Sequence, residues 1–407
     1  MALTAWHPFM LAAACTVPGI AARFGHPEIS PLWLALLSGT AILGAAFLLT
    51  WACEVAQMDM PQAVAVAVVA FIAVLPEYAV DMYFTWMAGR QPDSGYAHYV
   101  IANMTGANRL LTGVGWPAVV LIFAGRFRSA VALESDKRTE VLFLGLVSFY
   151  ALLVPLKGSL TLVDGVILLC LYAGYMCIIC RRPVQEETPE GPAALLARLP
   201  KNRRLSSVIG IFCFAALVIL CNAELFSENL VGSGKLLGVN EFLLVQWLAP
   251  VASEAPEFIV ALMFAFRGNV ALALGSILSS QFNQWTLLVG MIPGVYAASS
   301  GGFIPMSLSA HQLQEILLTA GQSVFAALLL VDLRLSAREG IWLFLLFVTH
   351  FFSPLYDRQL EALLGISYNP LRLHAFYSWI YLGLATFLLL KGRRAIWKLR
   401  FGFRSGV

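Results

Sequence analysis

Along this chain, apolar runs of about 17–28 residues recur, separated by short polar breaks. The runs lie near 31–53, 62–89, 98–124, 140–156, 159–180, 205–228, 238–266, 269–297, 310–332, 339–353 and 371–391. Each is about as long as a helix needs to cross roughly 30 Å of hydrocarbon at 1.5 Å per residue. Helices satisfy their own backbone polar groups, so runs of this length in lipid are helical. The runs at 140–156 and 339–353 are short and predict tilted or partly buried helices. A weaker run at 7–23 holds Pro18 and has no basic residue before it, which argues against a cleaved signal peptide. The pattern predicts an all-α integral membrane protein of ten to twelve transmembrane helices.

Composition supports that reading. Of 407 residues, 59% are hydrophobic and 12% charged. Soluble domains carry about 25% charged residues. The net charge is only +3, and no basic patch interleaved with aromatics points to nucleic acid. Cys177 and Cys180 form a CxxC pair without a second pair at zinc spacing. The cysteines in apolar runs are therefore read as small buried hydrophobes.

The positive charges are unevenly placed. With the 181–204 segment taken as cytoplasmic, alternation of the runs puts nineteen of the twenty-six Lys and Arg on that side. Six fall on the other side, and Arg109 lies within a span. Positive charge favours the cytoplasmic face. The expectation is a multi-pass protein of a bacterial inner (plasma) membrane, with the 181–204 loop and the C-terminus cytoplasmic. The same Pro-, Glu- and Arg-rich loop is the midpoint. The expected organisation is an N-terminal hydrophobic segment (1–30), a first five-helix repeat (31–180), a linker (181–204), a second five-helix repeat (205–353), and an extra helix with a basic tail (354–407). Five helices per half means the halves enter the membrane in opposite directions, as in many secondary transporters.

An internal repeat fits that organisation. Ala73 to Gly89 reads AVLPEYAVDMYFTWMAG and Ser253 to Gly268 reads SEAPEFIVALMFAFRG. Pro76-Glu77 thus matches Pro256-Glu257. Each is followed by a helix rich in small and amide residues, Ala102 to Gly115 (ANMTGANRLLTGVG) and Gly275 to Gly290 (GSILSSQFNQWTLLVG). A carboxylate in hydrocarbon costs at least about 2.5–3.5 kcal/mol, so it is paired or functional. Proline frees backbone carbonyls beside it. Carboxylate, carbonyl and amide oxygens together suit a hard cation. The expectation is a broken helix at the bilayer midplane in each copy.

These paired Pro-Glu motifs resemble the alpha repeats of the calcium/cation antiporter superfamily, which includes sodium/calcium and proton/calcium exchangers. The family pattern is roughly G-T-S-x-P-E, then G-N-x-x-G-S-N-x-F-N/D. The resemblance implies two inverted repeats of five helices and exchange of Ca2+ for Na+ or H+. It implies that Glu77 and Glu257 hold the ion. Ala73 and Val74 replace the Thr-Ser pair of the first copy; Ser253 and Glu254 stand there in the second. Ala107 and Asn108, then Leu111, occupy the Ser-Asn and Asn/Asp positions of the first helix. Ser280, Gln281 and Gln284 occupy them in the second.

The candidate ion-binding residues are Glu77, Glu257, Glu254, Asp81, Ser253, Asn108, Asn103, Ser280, Gln281 and Gln284. Two carboxylates a turn apart, such as Glu254 and Glu257, cannot easily both stay charged without a cation. Arg109 is a candidate counter-ion to Asp81 or Glu77, and a selectivity element, since a fixed positive charge weakens divalent binding. Glu54, Asn222, Glu224 and Glu228 are read as interfacial. His350 and His374 read as lone histidines near helix ends. No cofactor is expected beyond a bound transported Ca2+ or Na+. The partners are the transported cations and lipid. No HExxH or paired-Asp motif marks an intramembrane protease. Two alternatives stay open: a monovalent Na+(K+)/H+ exchanger on the same scaffold, and a transport-inactive sensor homologue.

Overall fold

A computed structural model describes residues 6–59, 74–181, 191–353 and 369–391, with isolated positions at 189, 356, 359, 362 and 363. The start of the 62–89 run, with Ala73, and most of the polar part of the linker lie outside these residues. The chain is helical almost throughout. The helices are α1 (His7–Gly25), α2 (Pro31–Ala56), α3 (Leu75–Arg90), α4 (Tyr96–Leu110), α5 (Trp116–Phe127), α6 (Arg138–Ala151), α7 (Val154–Lys157) and α8 (Leu162–Ile179). They continue as α9 (Ala193–Ala197), α10 (Lys201–Leu237), α11 (Glu241–Arg267), α12 (Val270–Asn283), α13 (Val289–Ser300), α14 (Ala310–Leu329), α15 (Ala337–Phe351) and α16 (Pro370–Lys391). Among the described residues, eight helices are long and apolar enough to cross a membrane. The protein is thus an all-α integral membrane protein. Large apolar side chains such as Val17, Phe149, Trp342 and Trp379 stand exposed on its helices, where lipid receives them.

The linker holds a short helix: α9 packs its Ala193 and Leu196 among Ala52, Val55, Ala56 and Val208. Several expectations need correction. The run at 205–228 belongs to a helix of 37 residues, about 55 Å long at 1.5 Å per residue. Asn222 therefore lies inside a helix and is buried, its amide bonded to the Val218 carbonyl at 2.9 Å. Cys170, Cys177 and Cys213 are exposed, not buried. Pro256 does not break its helix: α11 runs from Glu241 to Arg267 through both Pro250 and Pro256. A proline removes one donor to the carbonyl four residues back without ending the coil when packing holds both sides.

Four two-residue strands interrupt the helical pattern. Val131–Ala132 (β1) pairs with Arg334–Leu335 (β4), and Ser159–Leu160 (β2) pairs with Met306–Ser307 (β3), both antiparallel. Val131 faces Leu335, and Leu160 faces Met306. From Val131 to Met306 is 175 residues, as it is from Leu160 to Leu335. Each ribbon is the other's image under exchange of the two repeats. The helices that follow β2 and β4 start alike. The Thr161 amide and hydroxyl donate to Asp164 Oδ2, at 2.8 and 2.7 Å. The Ser336 amide and hydroxyl donate to Glu339 Oε2, both at 2.7 Å. This second copy is a full capping box.

By packing, the chain forms two units, residues 1–103 with 172–256, and residues 104–171 with 257–407. Each draws on both repeats, so the packing units are not the sequence repeats. In the first, α1, α2 and α10 pack through small residues: a Cβ at Gly19 would lie 2.4 Å from Ala41 Cβ, and one at Gly44 would lie 2.4 Å from the Ala12 carbonyl. Without a hydrophobic force between helices in lipid, close backbone approach of this kind supplies the contact. In the second unit, α14 packs against α6 and α16, and α5 against α15.

Candidate ion-binding site

The first unit holds Glu77, Asp81, Asn103, Ser253 and Glu254. Pro76 suits the first turn of α3, where its missing N–H costs nothing, and Glu77 follows it in that turn. Both Glu77 and Asp81, one turn on, are buried. Asn103 donates its amide to Asp81 Oδ1 at 2.8 Å. The other oxygens of this pair, Asp81 Oδ2 and Asn103 Oδ1, are buried with no hydrogen-bond partner among the described residues. Ser253 is buried, its hydroxyl lying 3.3 Å from the Ala249 carbonyl. Glu254 is fully buried.

The second unit holds Glu257, Asn108, Arg109, Ser280, Gln281 and Gln284. Glu257 is half-buried, three residues beyond Glu254 on α11. In both copies the helix after the Pro-Glu motif widens into a π-turn, at Leu111–Gly115 and at Gln284–Leu288. The turns begin at the two positions that the repeat aligns, Leu111 and Gln284. A π-turn redirects side chains and leaves carbonyls loosely bonded, and such turns gather at functional sites. Thr112, inside the first turn, donates to the Asn108 carbonyl at 2.9 Å. Gln281 donates its amide to Thr112 Oγ1 at 2.7 Å and to Ser323 Oγ at 3.2 Å. Trp285 Nε1 donates to Ser323 at 3.1 Å. Asn108 Oδ1, Gln281 Oε1 and Asn283 Oδ1 are buried and have no hydrogen-bond partner among the described residues. Ser280 and Gln284 are buried as well.

Arg109 finds its partner far along the chain. Its guanidinium is fully buried and paired with Glu315. Arg109 Nη1 also lies 2.7 Å from His350 Nε2. The histidines are not lone: His374 Nε2 lies 3.0 Å from Glu315 Oε1, and His311 Nε2 lies 3.8 Å from it. Two acids read as interfacial are engaged in the first unit. Glu228 accepts the Tyr83 hydroxyl at 2.6 Å and the Tyr96 hydroxyl, and Glu224 pairs with Arg23 at 2.8 Å.

Sequence reasoning missed Thr112, Ser323 and Asn283, and gave Glu315 no specific role. The available signal was the run of polar residues in an otherwise apolar span: Gln314, Glu315, Gln322 and Ser323 recur at helical spacing on α14.

Duplicated acids and paired π-turns recur in the two copies of the repeat. The sodium/calcium exchanger protein family model matches residues 30–181 and 207–352, and the chain belongs to that family. Its structure is similar to that of an H+/Ca2+ exchanger, CAX, at 39% identity and TM-score 0.87, covering 96% of each chain. It shares the fold of YfkE (15% identity, TM-score 0.62, 84% of this chain and 97% of that one). It shares that of the sodium-calcium exchanger NCX_Mj too (17%, TM-score 0.52, 78% and 97%). A search of the curated proteins found no match.

Proposed function

We propose that this protein is a secondary active antiporter that exchanges Ca2+ for H+ by alternating access, with Glu77 and Glu257 carrying the ion. Glu254, Asp81, Ser253 and the amide or hydroxyl oxygens of Asn103, Asn108, Ser280, Gln281 and Gln284 complete the donors. The observation that carries the choice of a divalent ion is the Arg109–Glu315 pair. An unopposed arginine beside Asn108 would repel Ca2+; paired with a carboxylate, its field is largely cancelled. Oxygen donors on both repeats then match a hard cation. Glu77 with Asp81, and Glu254 with Glu257, are acids one helical turn apart. Such pairs retain protons when no cation is near and release them when one binds, which couples Ca2+ entry to proton exit. The 39% identity to an H+/Ca2+ exchanger over 96% of the chain supports the same counter-ion. The excess of Lys and Arg supports a cytoplasmic 181–204 loop and C-terminus in a plasma membrane.

A monovalent exchanger is the second reading. It is favoured by Leu111, a fully buried hydrocarbon at a position where the family pattern has an oxygen donor. Uptake of radiolabelled Ca2+ into proteoliposomes, driven by a pH gradient, tests the proposal. Ca2+ uptake that collapses with the gradient supports it. Na+/H+ exchange without Ca2+ movement selects the second reading, and absence of any flux leaves a sensor homologue.

A further inference from the structure

Arg109 is a permanent cation placed beside Asn108 and two residues before the first π-turn. Consecutive helix residues point about 100° apart, so the two side chains leave α4 on different faces. The Arg109 side chain goes to α14 and α15, where Glu315 and His350 receive it. Its Nη2 and Nε also lie 3.4 Å from the Thr105 hydroxyl and carbonyl of its own helix. Arginine only donates, so His350 Nε2 accepts and the His350 proton sits on Nδ1. His350 is neutral in this arrangement, and Glu315 supplies the balancing charge.

Glu315 has a second oxygen, which faces His374 and, farther off, His311. Side-chain exposure falls along this line, from 37% at His311 and 16% at His374 to 2% at Glu315 and 0% at Arg109. The line therefore runs from the partly exposed surface to the buried arginine. Other ionisable groups nearby are Tyr377, whose ring lies 5.9 Å from that of His350, and Tyr381 on α16. On α6, Glu140 pairs with Lys137 at 3.5 Å and Arg138 stands half-exposed at the helix start; Tyr150 and Lys157 engage Asp164. Among the described residues no three His, Cys, Asp or Glu side chains form a metal-holding group. The ligand suited to this line is a proton. His374 comes from α16, which belongs to neither five-helix repeat, so the line joins the repeats to an added helix.

We infer that Glu315 is a positioning residue that holds the Arg109 charge away from the cation-binding oxygens of α4, and that protonation of His374 loosens that hold by competing for Glu315. With His374 neutral, Arg109 and Glu315 form a balanced pair. With His374 protonated, two cations share one carboxylate, and more of the arginine's field reaches Asn108. Acid then lowers Ca2+ affinity by a route separate from protonation of Glu77 and Glu257. This rests on the Ca2+/H+ reading above.

Initial rates of pH-gradient-driven Ca2+ uptake in proteoliposomes test it. Glu315→Gln is expected to raise the half-saturating Ca2+ concentration about tenfold, with a smaller change in maximal rate. Glu315→Asp restores part of the loss. Arg109→Met combined with Glu315→Gln removes both charges and returns the half-saturating concentration close to wild type. His374→Gln weakens the dependence of that concentration on pH at the acid end. Wild-type affinity in Glu315→Gln overturns the inference, as does a double variant no better than Glu315→Gln. Should Glu315→Gln fail to insert, an unchanged pH profile in His374→Gln overturns it and a flattened one supports it. Should the wild-type protein carry Na+ and no Ca2+, the choice of ion is wrong, and the same comparisons on Na+ flux still decide the role of Glu315.

Discussion

Gln281 donates its side-chain amide to the Thr112 hydroxyl across 2.7 Å, tying the helix that leads into the second π-turn to the first π-turn itself. The bond leaves Gln281 Oε1 as a buried acceptor with no hydrogen-bond partner among the described residues. Thr112 thus aims an oxygen it does not itself supply. Replacing it with valine keeps the shape and removes the hydroxyl. Loss of a buried hydrogen bond costs about 1 kcal/mol. Thr112→Val is therefore expected to raise the half-saturating Ca2+ concentration about fivefold with normal insertion, as read from uptake kinetics. Unaltered kinetics would show that Gln281 is not a ligand.

Glu257 tests the carboxylate pair. Glu257→Gln keeps the shape and removes the charge that a cation needs. Exchange should be abolished while expression, insertion and melting temperature stay close to wild type. Glu77→Gln should behave alike, because the two residues stand at equivalent repeat positions. Normal flux in either variant would remove the residue from the site.

Gly113 tests the first π-turn. A Cβ at this position would lie 2.4 Å from the Phe347 ring on α15. The ring cannot retreat freely, since it packs against His350 and Phe351. Overpacking of this kind typically costs about 1–3 kcal/mol. Gly113→Ala should lower the melting temperature in detergent, and Gly113→Ala with Phe347→Leu should recover part of it.

Asp59 tests the docked linker. Arg204 holds both of its oxygens, at 2.7 and 2.6 Å. The bonds to this guanidinium keep the Asp59 carboxyl below its ordinary value. A depressed folded-state value means that the pair stabilises the fold above the unfolded value of about 3.9. That contribution fades as pH falls through the folded value. Asp59→Asn should lower the melting temperature by a few degrees at neutral pH. The difference from wild type should shrink as the buffer approaches pH 3. A difference that stays constant with pH would mean the pair adds no charge-dependent stability.

The repeat and its acids were legible because they are local. Pro76-Glu77 and Pro256-Glu257 stand out in apolar surroundings, and a buried carboxylate is expensive enough to demand a reason. Leu111 and Gln284, aligned from sequence alone, are where the two π-turns begin. The carboxylate that holds Arg109 was not legible for the opposite reason. Its partner lies 206 residues away, and Asp81 and Glu77, nearer in the chain, were the visible choices. The expected break at Pro256 failed because a proline's effect on a helix depends on what packs around it.

Sequence by itself determined the membrane class, the helix succession and the duplicated motif with its acids. Hydropathy over a 20-residue window and the cost of charge in lipid need no tertiary information. Only the folded chain decided which acid neutralises Arg109, that His311, His350 and His374 gather around that pair, and that the two ribbons are equivalent copies of one pairing. Those pairings join residues brought together by the packing of distant helices, and an ion pair or ladder bond leaves no mark on the local pattern of either strand or helix that makes it.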